Sequence, residues 1–145
     1  MLGADYRSSF MHGLWDEHLK GGVTFTEFAT FMANDAETAF EAGADLAAIL
    51  AACSTIETYV RWEILGEDHA RTTFKKLIEQ SDLQDDLKDD LQKLREFRNR
   101  WVHVHDAGKD EVLLERPHEV WGEISEHAEF AMKCMIRTLC SNQWV

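Results

Sequence analysis

Apolar residues recur at three- and four-residue steps along most of this chain, the spacing that lines one face of an α-helix. The clearest run is Leu46, Ile49, Cys53, Ile56, Val60 and Ile64, which predicts an amphipathic helix over 44–65 stopped by Gly66. A second run, Leu83, Leu87, Leu91, Leu94 and Trp101, predicts a helix over 83–104. Ser81 or Asp82 would cap that helix, and Asp85, Asp86, Asp89 and Asp90 fall in its first turns. Pro117 suits the first turn of a last helix, whose buried face reads Val120, Trp121, Ile124, Ala128, Ala131, Met135 and Leu139. Weaker patterns predict a first helix over 8–20 closed by Gly21-Gly22, and a short helix over 67–80 carrying Phe74, Leu77 and Ile78. Thr24-Phe25-Thr26-Glu27 has the form of a capping box, opening a helix over 25–42 that Gly43 ends or kinks.

These elements predict an all-α fold: an up-and-down bundle of five to six helices joined by short loops, with 1–145 as one domain. A small β-hairpin around 104–114 is the one exception expected. There Gly108 stands as a turn between Val102, Val104 and the Val112-Leu113-Leu114 run.

At 145 residues the chain is long enough to bury roughly 68–70% of its unfolded surface, so it needs no staples. Its three cysteines, Cys53, Cys134 and Cys140, are odd in number and lack metal-ligand spacing, which reads as reduced thiols in a cytoplasmic protein. Cys53 and Cys140 have apolar neighbours and read as small core residues. No basic leader or long apolar run marks the chain for secretion or membrane insertion. The net charge of −12 argues against a non-specific polyanion binder. The distribution is uneven, however. Lys93, Arg95, Arg98 and Arg100 face only Glu96, giving +3 over 93–105 and leaving −15 elsewhere. A basic patch on an acidic body suits local capture of one phosphate or a short strand. Cations at a helix C-terminus also offset the macrodipole, which accounts for two or three of them.

Arg98 is not covered by that account, because it falls in the leucine stripe. A guanidinium cannot shed its proton to escape burial, so an anion or acceptor must compensate it. Asn99 adds an amide and His103 an imidazole near the same helix end. In a regular helix, Arg98 and His103 diverge by about 140°. They meet one phosphate only if the helix unwinds near His103 or if two copies of the site face each other. The competing reading is an internal pair of Arg98 with Glu57 or Glu63, with His103 an exposed turn residue. Arg61, four positions after Glu57, could itself take Glu57 as a helical ion pair. Arg100 and His105 repeat the arginine-to-histidine spacing, but Arg100 points about 160° from Arg98, off the stripe. His103-Val104-His105-Asp106 lacks supporting ligands at helical spacing, so no metal site and no cofactor are expected. His12, His18, His69, His118 and His127 read as surface or helix-end residues. Gly21-Gly22 and Gly66 lack the strand context of a phosphate loop, and no serine has the setting of a nucleophile. Trp144 reads as tail packing.

Arg98-Asn99 followed by His103, late in a helical chain and after the Glu57 helix, resembles the signature of the HEPN superfamily: arginine, a polar residue, a short gap, then histidine. The resemblance spans 44–139, while 1–43 would be an additional helical pair. It implies a metal-independent endoribonuclease acting as a homodimer, often a toxin or defence component. On that pattern His103 assists proton transfer as the RNA 2′-hydroxyl attacks the adjacent phosphate. Arg98 stabilises the charge that builds there, and Asn99 orients the phosphate or the histidine. Glu57, Arg95, Arg100 and His105 would support them. The products would be a 2′,3′-cyclic phosphate and a 5′-hydroxyl. Some HEPN-like domains are instead catalytically inactive dimerisation or regulatory modules that bind a nucleotidyltransferase, an antitoxin or another protein. The acidic charge fits that alternative. The acidic 82–90 face offers a third reading, as a helical adaptor, although such runs are usually solvated.

Overall fold

The leucine stripe is buried as its spacing predicts: Leu83, Leu87, Leu91 and Leu94 are each at most 6% exposed. In the computed structural model, which describes residues 3–103, 113 and 115–144, the described residues form six α-helices. These are α1 (Ala4–His18), α2 (Glu27–Glu41), α3 (Asp45–Tyr59), α4 (Phe74–Gln80), α5 (Asp85–Val102) and α6 (Pro117–Leu139). The fold is an all-α bundle. The hairpin expected around 104–114 falls almost wholly on residues outside those described, as does His105. None of the described helices is long and apolar enough to cross a membrane.

α3 lies at the centre, packed against α2, α5 and α6. Small side chains set the α2–α3 spacing: Ala29, Ala33 and Ala36 on one helix, with Ala48 and Ala52 on the other, are buried and let the backbones approach. α5 and α6 run antiparallel. Arg137 near the end of α6 donates to Asp90 (2.7 Å) and Asp86 (2.9 Å) near the start of α5. At the other end of the pair, Arg100 donates to Glu123 (3.1 Å). Cys53, Cys134 and Cys140 are free, buried thiols.

Several boundaries differ from the sequence expectation. α1 starts at Ala4 rather than 8. Its Arg7 is fully buried, bidentate on Asp45, with a further bond to the Phe40 carbonyl (2.7 Å) and a contact with the Ser125 hydroxyl (3.4 Å). Thr26, not Thr24, caps α2, its side chain accepting from the Ala29 N–H (3.1 Å). Gln84 precedes α5 without a side-chain cap, where Ser81 or Asp82 was expected. The 44–65 helix is α-helical to Tyr59 and then widens into a π-helical turn, Val60–Leu65. Gly66 ends it at φ +91°, a conformation that side chains rarely adopt.

The 67–80 helix is also interrupted. A 3₁₀ turn, Glu67–His69, precedes α4, which Thr73 caps by accepting from the Lys76 N–H. Arg61 bridges the break: its guanidinium donates to the carbonyls of His69 (3.2 Å) and Thr72 (2.8 Å), and the His69 carbonyl also accepts from the Thr72 N–H (3.0 Å). Trp121 occupies the expected stripe of α6 yet is 62% exposed. The Arg100–Glu123 contact puts Trp121 about level with Val102, the last residue of α5, so the stripe runs on past the end of its partner helix.

α1 ends at His18 with Leu19 as its C-cap, before the Gly21-Gly22 stop the sequence suggested, and that segment instead pairs with the tail. Gly22 and Trp144 exchange two backbone hydrogen bonds in an isolated antiparallel bridge. Gln143 accepts from the Lys20 and Gly21 N–H groups and donates to the carbonyls of His18 and Cys140.

Candidate functional site

Arg98 projects from the last turns of α5 toward the junction of α3 and α4. Its side chain is 20% exposed, so it is largely covered but not sealed from solvent. The guanidinium lies over the Phe74 ring, 5.4 Å from its centroid. Nε and Nη2 donate to Asn99 Oδ1 (3.3 and 2.8 Å), and Nη1 stands 3.7 Å from Glu57 Oε2. That last separation is an ion pair but too long for a hydrogen bond. Among the described residues Nη1 therefore keeps its donors, and Nη2 keeps one of its two.

Glu57 is shared between two arginines. Its other oxygen accepts from Arg61 Nη2 at 2.9 Å, one helical turn away. The sequence offered two internal partners for Arg98 and a rival partner for Glu57. The structure brings Arg98, Glu57 and Arg61 together and leaves Glu63 apart, lining a pocket elsewhere. Two guanidinium groups around one carboxylate leave a local excess of positive charge beside Asn99. Cys53 lies close enough to sense it. Burial pushes its thiol up to about 12, with Arg98 opposing that rise and Glu57 adding to it.

α5 ends at Val102. His103 is its exposed C-cap residue, with φ −116° and ψ 79°, and its N–H donates to the Asn99 carbonyl (2.9 Å). Its amide still bonds as in the helix, so its Cα keeps the helical position, and the change in φ from about −63° alters the side-chain direction only in part. Asn99 thus touches both groups, accepting from Arg98 through its side chain and from His103 through its backbone.

The supporting residues separate. Arg95 stays on its own helix, donating to Gln92 Oε1 (2.8 Å) and pairing with Glu96 at 3.8 Å. Arg100 turns to α6, where it meets Glu123 and lies 4.8 Å from the Phe97 ring centroid. The ring of His127 stacks on Phe97 as well, with centroids 3.6 Å apart, so this histidine is a packing residue of the α5–α6 contact.

Two features escaped the sequence reading. Phe74 beneath Arg98 registered only as a core residue, since a cation–π contact leaves no mark on spacing. A pocket of 630 Å³, with Glu63, Asp82, Asp86 and Arg137 among its lining residues, opens at the start of α5. It lies roughly 20 Å along that helix from Arg98 and is separate from the Arg98 cluster. Among the described residues no three His, Cys, Asp or Glu side chains converge to hold a metal ion. No family model, curated protein or solved structure matches this chain.

Proposed function

We propose that the chain is a metal-independent endoribonuclease of HEPN type, with Arg98, Asn99 and His103 as its catalytic residues. The observation that carries the reading is the incomplete pairing of Arg98. An arginine kept only for structure would spend its fork on a bidentate carboxylate, as Arg7 does on Asp45. Arg98 instead holds Glu57 at 3.7 Å and keeps hydrogen-bond donors for an incoming anion.

In the reaction, the RNA 2′-oxygen bonds to the adjacent phosphorus and the bond to the 5′-oxygen breaks. One proton leaves the 2′-hydroxyl and one reaches the departing oxygen. His103, exposed at the end of α5, is the proton-transfer group. Arg98 turns its open donors to the non-bridging oxygens, where negative charge grows in the transition state. Glu57 compensates Arg98 while the site is empty. It can release Arg98 cheaply because Arg61 keeps hold of the carboxylate. Asn99 fixes the guanidinium from the side and His103 from the backbone.

A homodimer about the α5 ends completes the site in this reading. Val102 is 50% exposed and Trp121 62%, leaving apolar surface beside His103 for a second copy to cover. An inactive module binding a nucleotidyltransferase or antitoxin would use the same fold, and the acidic charge favours it.

Incubating the purified protein with single-stranded and structured RNA in excess EDTA separates the two. Cleavage giving 2′,3′-cyclic phosphate ends, lost at least ~100-fold in His103→Ala, supports the nuclease. The absence of cleavage, or cleavage equal in His103→Ala, transfers the reading to the binding module. Sedimentation as a monomer across micromolar concentrations would remove the composite cleft.

A further inference from the structure

α2 carries its own unexplained surface. Phe28 and Phe31 are 75% and 71% exposed, the most exposed large hydrophobic side chains among the described residues. They occupy adjacent turns and face away from the buried Ala29, Ala33 and Ala36. Phe25, three residues earlier, shows the contrast: it packs into the core against Tyr59, with ring centroids 6.2 Å apart. Scattered exposed apolar residues are ordinary, but two aromatic rings side by side on one helix face form a patch.

The surroundings restrict what can cover it. Phe28, Phe31, Met32 and Asp35 fall within about 100° around the helix, the i, i+3, i+4, i+7 pattern by which one helix presents anchors to a partner. From Gly21 to Val60 the chain has six acidic residues and no lysine or arginine. Within α2 the charged residues beside the two rings are Glu27 and Asp35. Two phenylalanine side chains offer roughly 300 Å², so whatever covers them must complement the charges beside them as well. A two-fold contact through this face would set Glu27 and Asp35 against their own copies. An anionic membrane surface would be repelled for the same reason.

We propose that the outer face of α2, anchored by Phe28 and Phe31, docks an amphipathic helix of another protein whose apolar stripe is flanked by lysine and arginine. The rings supply the buried contact, while Glu27 and Asp35 set the register and accelerate encounter. The surface lies on α2, away from the Arg98 cluster, and its use does not depend on nuclease activity.

The probe is a synthetic 18-residue amphipathic helix of leucine and lysine, with a leucine–glutamate counterpart of the same pattern, each titrated into the full chain. The basic peptide is expected to bind. Phe28→Ser/Phe31→Ser should weaken it at least ~10-fold, and Glu27→Gln/Asp35→Asn should weaken it several-fold while flattening the salt dependence. The acidic peptide should not bind. All four side chains are exposed, so the variants should melt with the parent chain. Three results overturn the proposal: no binding of the basic peptide, binding unchanged in Phe28→Ser/Phe31→Ser, or a homodimer that this double variant abolishes.

Discussion

Replacing Arg98 with leucine tests whether the shared carboxylate works as described. The change removes an ion pair at 3.7 Å between side chains that are 20% and 26% exposed, worth at most ~1 kcal/mol. It also removes the contact over Phe74, about 0.5–1 kcal/mol. The bond to Asn99 goes as well, but Asn99 is only half-buried and water can replace it. Against these, leucine extends the Leu87–Leu91–Leu94 stripe and regains about 1–2 kcal/mol of apolar burial. The net should lie within about 1 kcal/mol of zero, or roughly 2–4 °C in melting temperature. A stranded carboxylate would cost far more, roughly 3–5 kcal/mol. Glu57 is not stranded, because Arg61 holds it at 2.9 Å. RNA cleavage should fall at least ~100-fold, as for removal of a transition-state donor. Thermal unfolding and cleavage in EDTA on the same preparation give both readouts. A melting temperature lowered by more than ~8 °C would mean that Glu57 depends on Arg98, refuting the shared-carboxylate argument. Cleavage within about threefold of the parent would refute the role of Arg98 in catalysis. Introducing Arg98→Leu into an Arg61→Leu background should cost several times more than in the parent, since the carboxylate then has neither arginine.

Asp45→Ala should destabilise the chain by about 3–5 kcal/mol, because it removes the carboxylate on which the fully buried Arg7 is bidentate; chemical denaturation measures it. A Cβ at position 22 would lie 2.2 Å from the Trp144 ring, so Gly22→Ala must expel the indole. Its cost should therefore be non-additive with that of Trp144→Ala in a double-mutant cycle. Burial pushes the Cys53 and Cys134 thiols up to about 12. At pH 9 burial keeps these thiols protonated in the folded chain, whereas an ordinary thiol value leaves well over half as thiolate when unfolded. Iodoacetamide should accordingly label the urea-unfolded chain at least ~100-fold faster. Ionisation favours the unfolded state as pH rises above the ordinary thiol value, so stability should decline from about pH 9 toward 12; comparable native and unfolded labelling rates would contradict this.

Where one rule acted alone, the sequence was a reliable guide. The leucine stripe of α5, Gly66 as a stop and Pro117 at the start of α6 each follow from a local constraint. Errors arose where a distant group intervened. Nothing around Arg7 marks it as buried, since Asp45 and Ser125 lie 38 and 118 positions away. The 67–80 stretch has helical spacing, but it breaks where Arg61 donates to two of its carbonyls. Trp121 has the right phase, and its exposure depends on where another helix ends. At the candidate site, Arg98 stood out because a charge in a leucine stripe is anomalous, and Glu57 was identifiable as an acid at the rim of the next stripe. In the sequence Glu57 reads chiefly as the orienter of Arg98, with Arg61 as its alternative partner, and the fold gives it both, because the π-helical turn carries Arg61 onto the 66–73 segment beside it.

The ties of α1 carry a consequence for the order of assembly. Arg7 reaches Phe40 and Asp45 within the first third of the chain, but Tyr6 bonds to Glu129, and His18 and Lys20 bond to Gln143, across 123 to 125 positions. Contacts that close such long loops form late, because the chain must first give up the entropy of joining its ends. During synthesis α1 emerges well before the partners that fasten it, so it can pair with α2 early, while its seal against α6 waits for that helix to emerge. The same seam should be the first to open under native conditions. Amide exchange around Gly22 and Trp144 would then outpace exchange in α3 at equal solvent exposure.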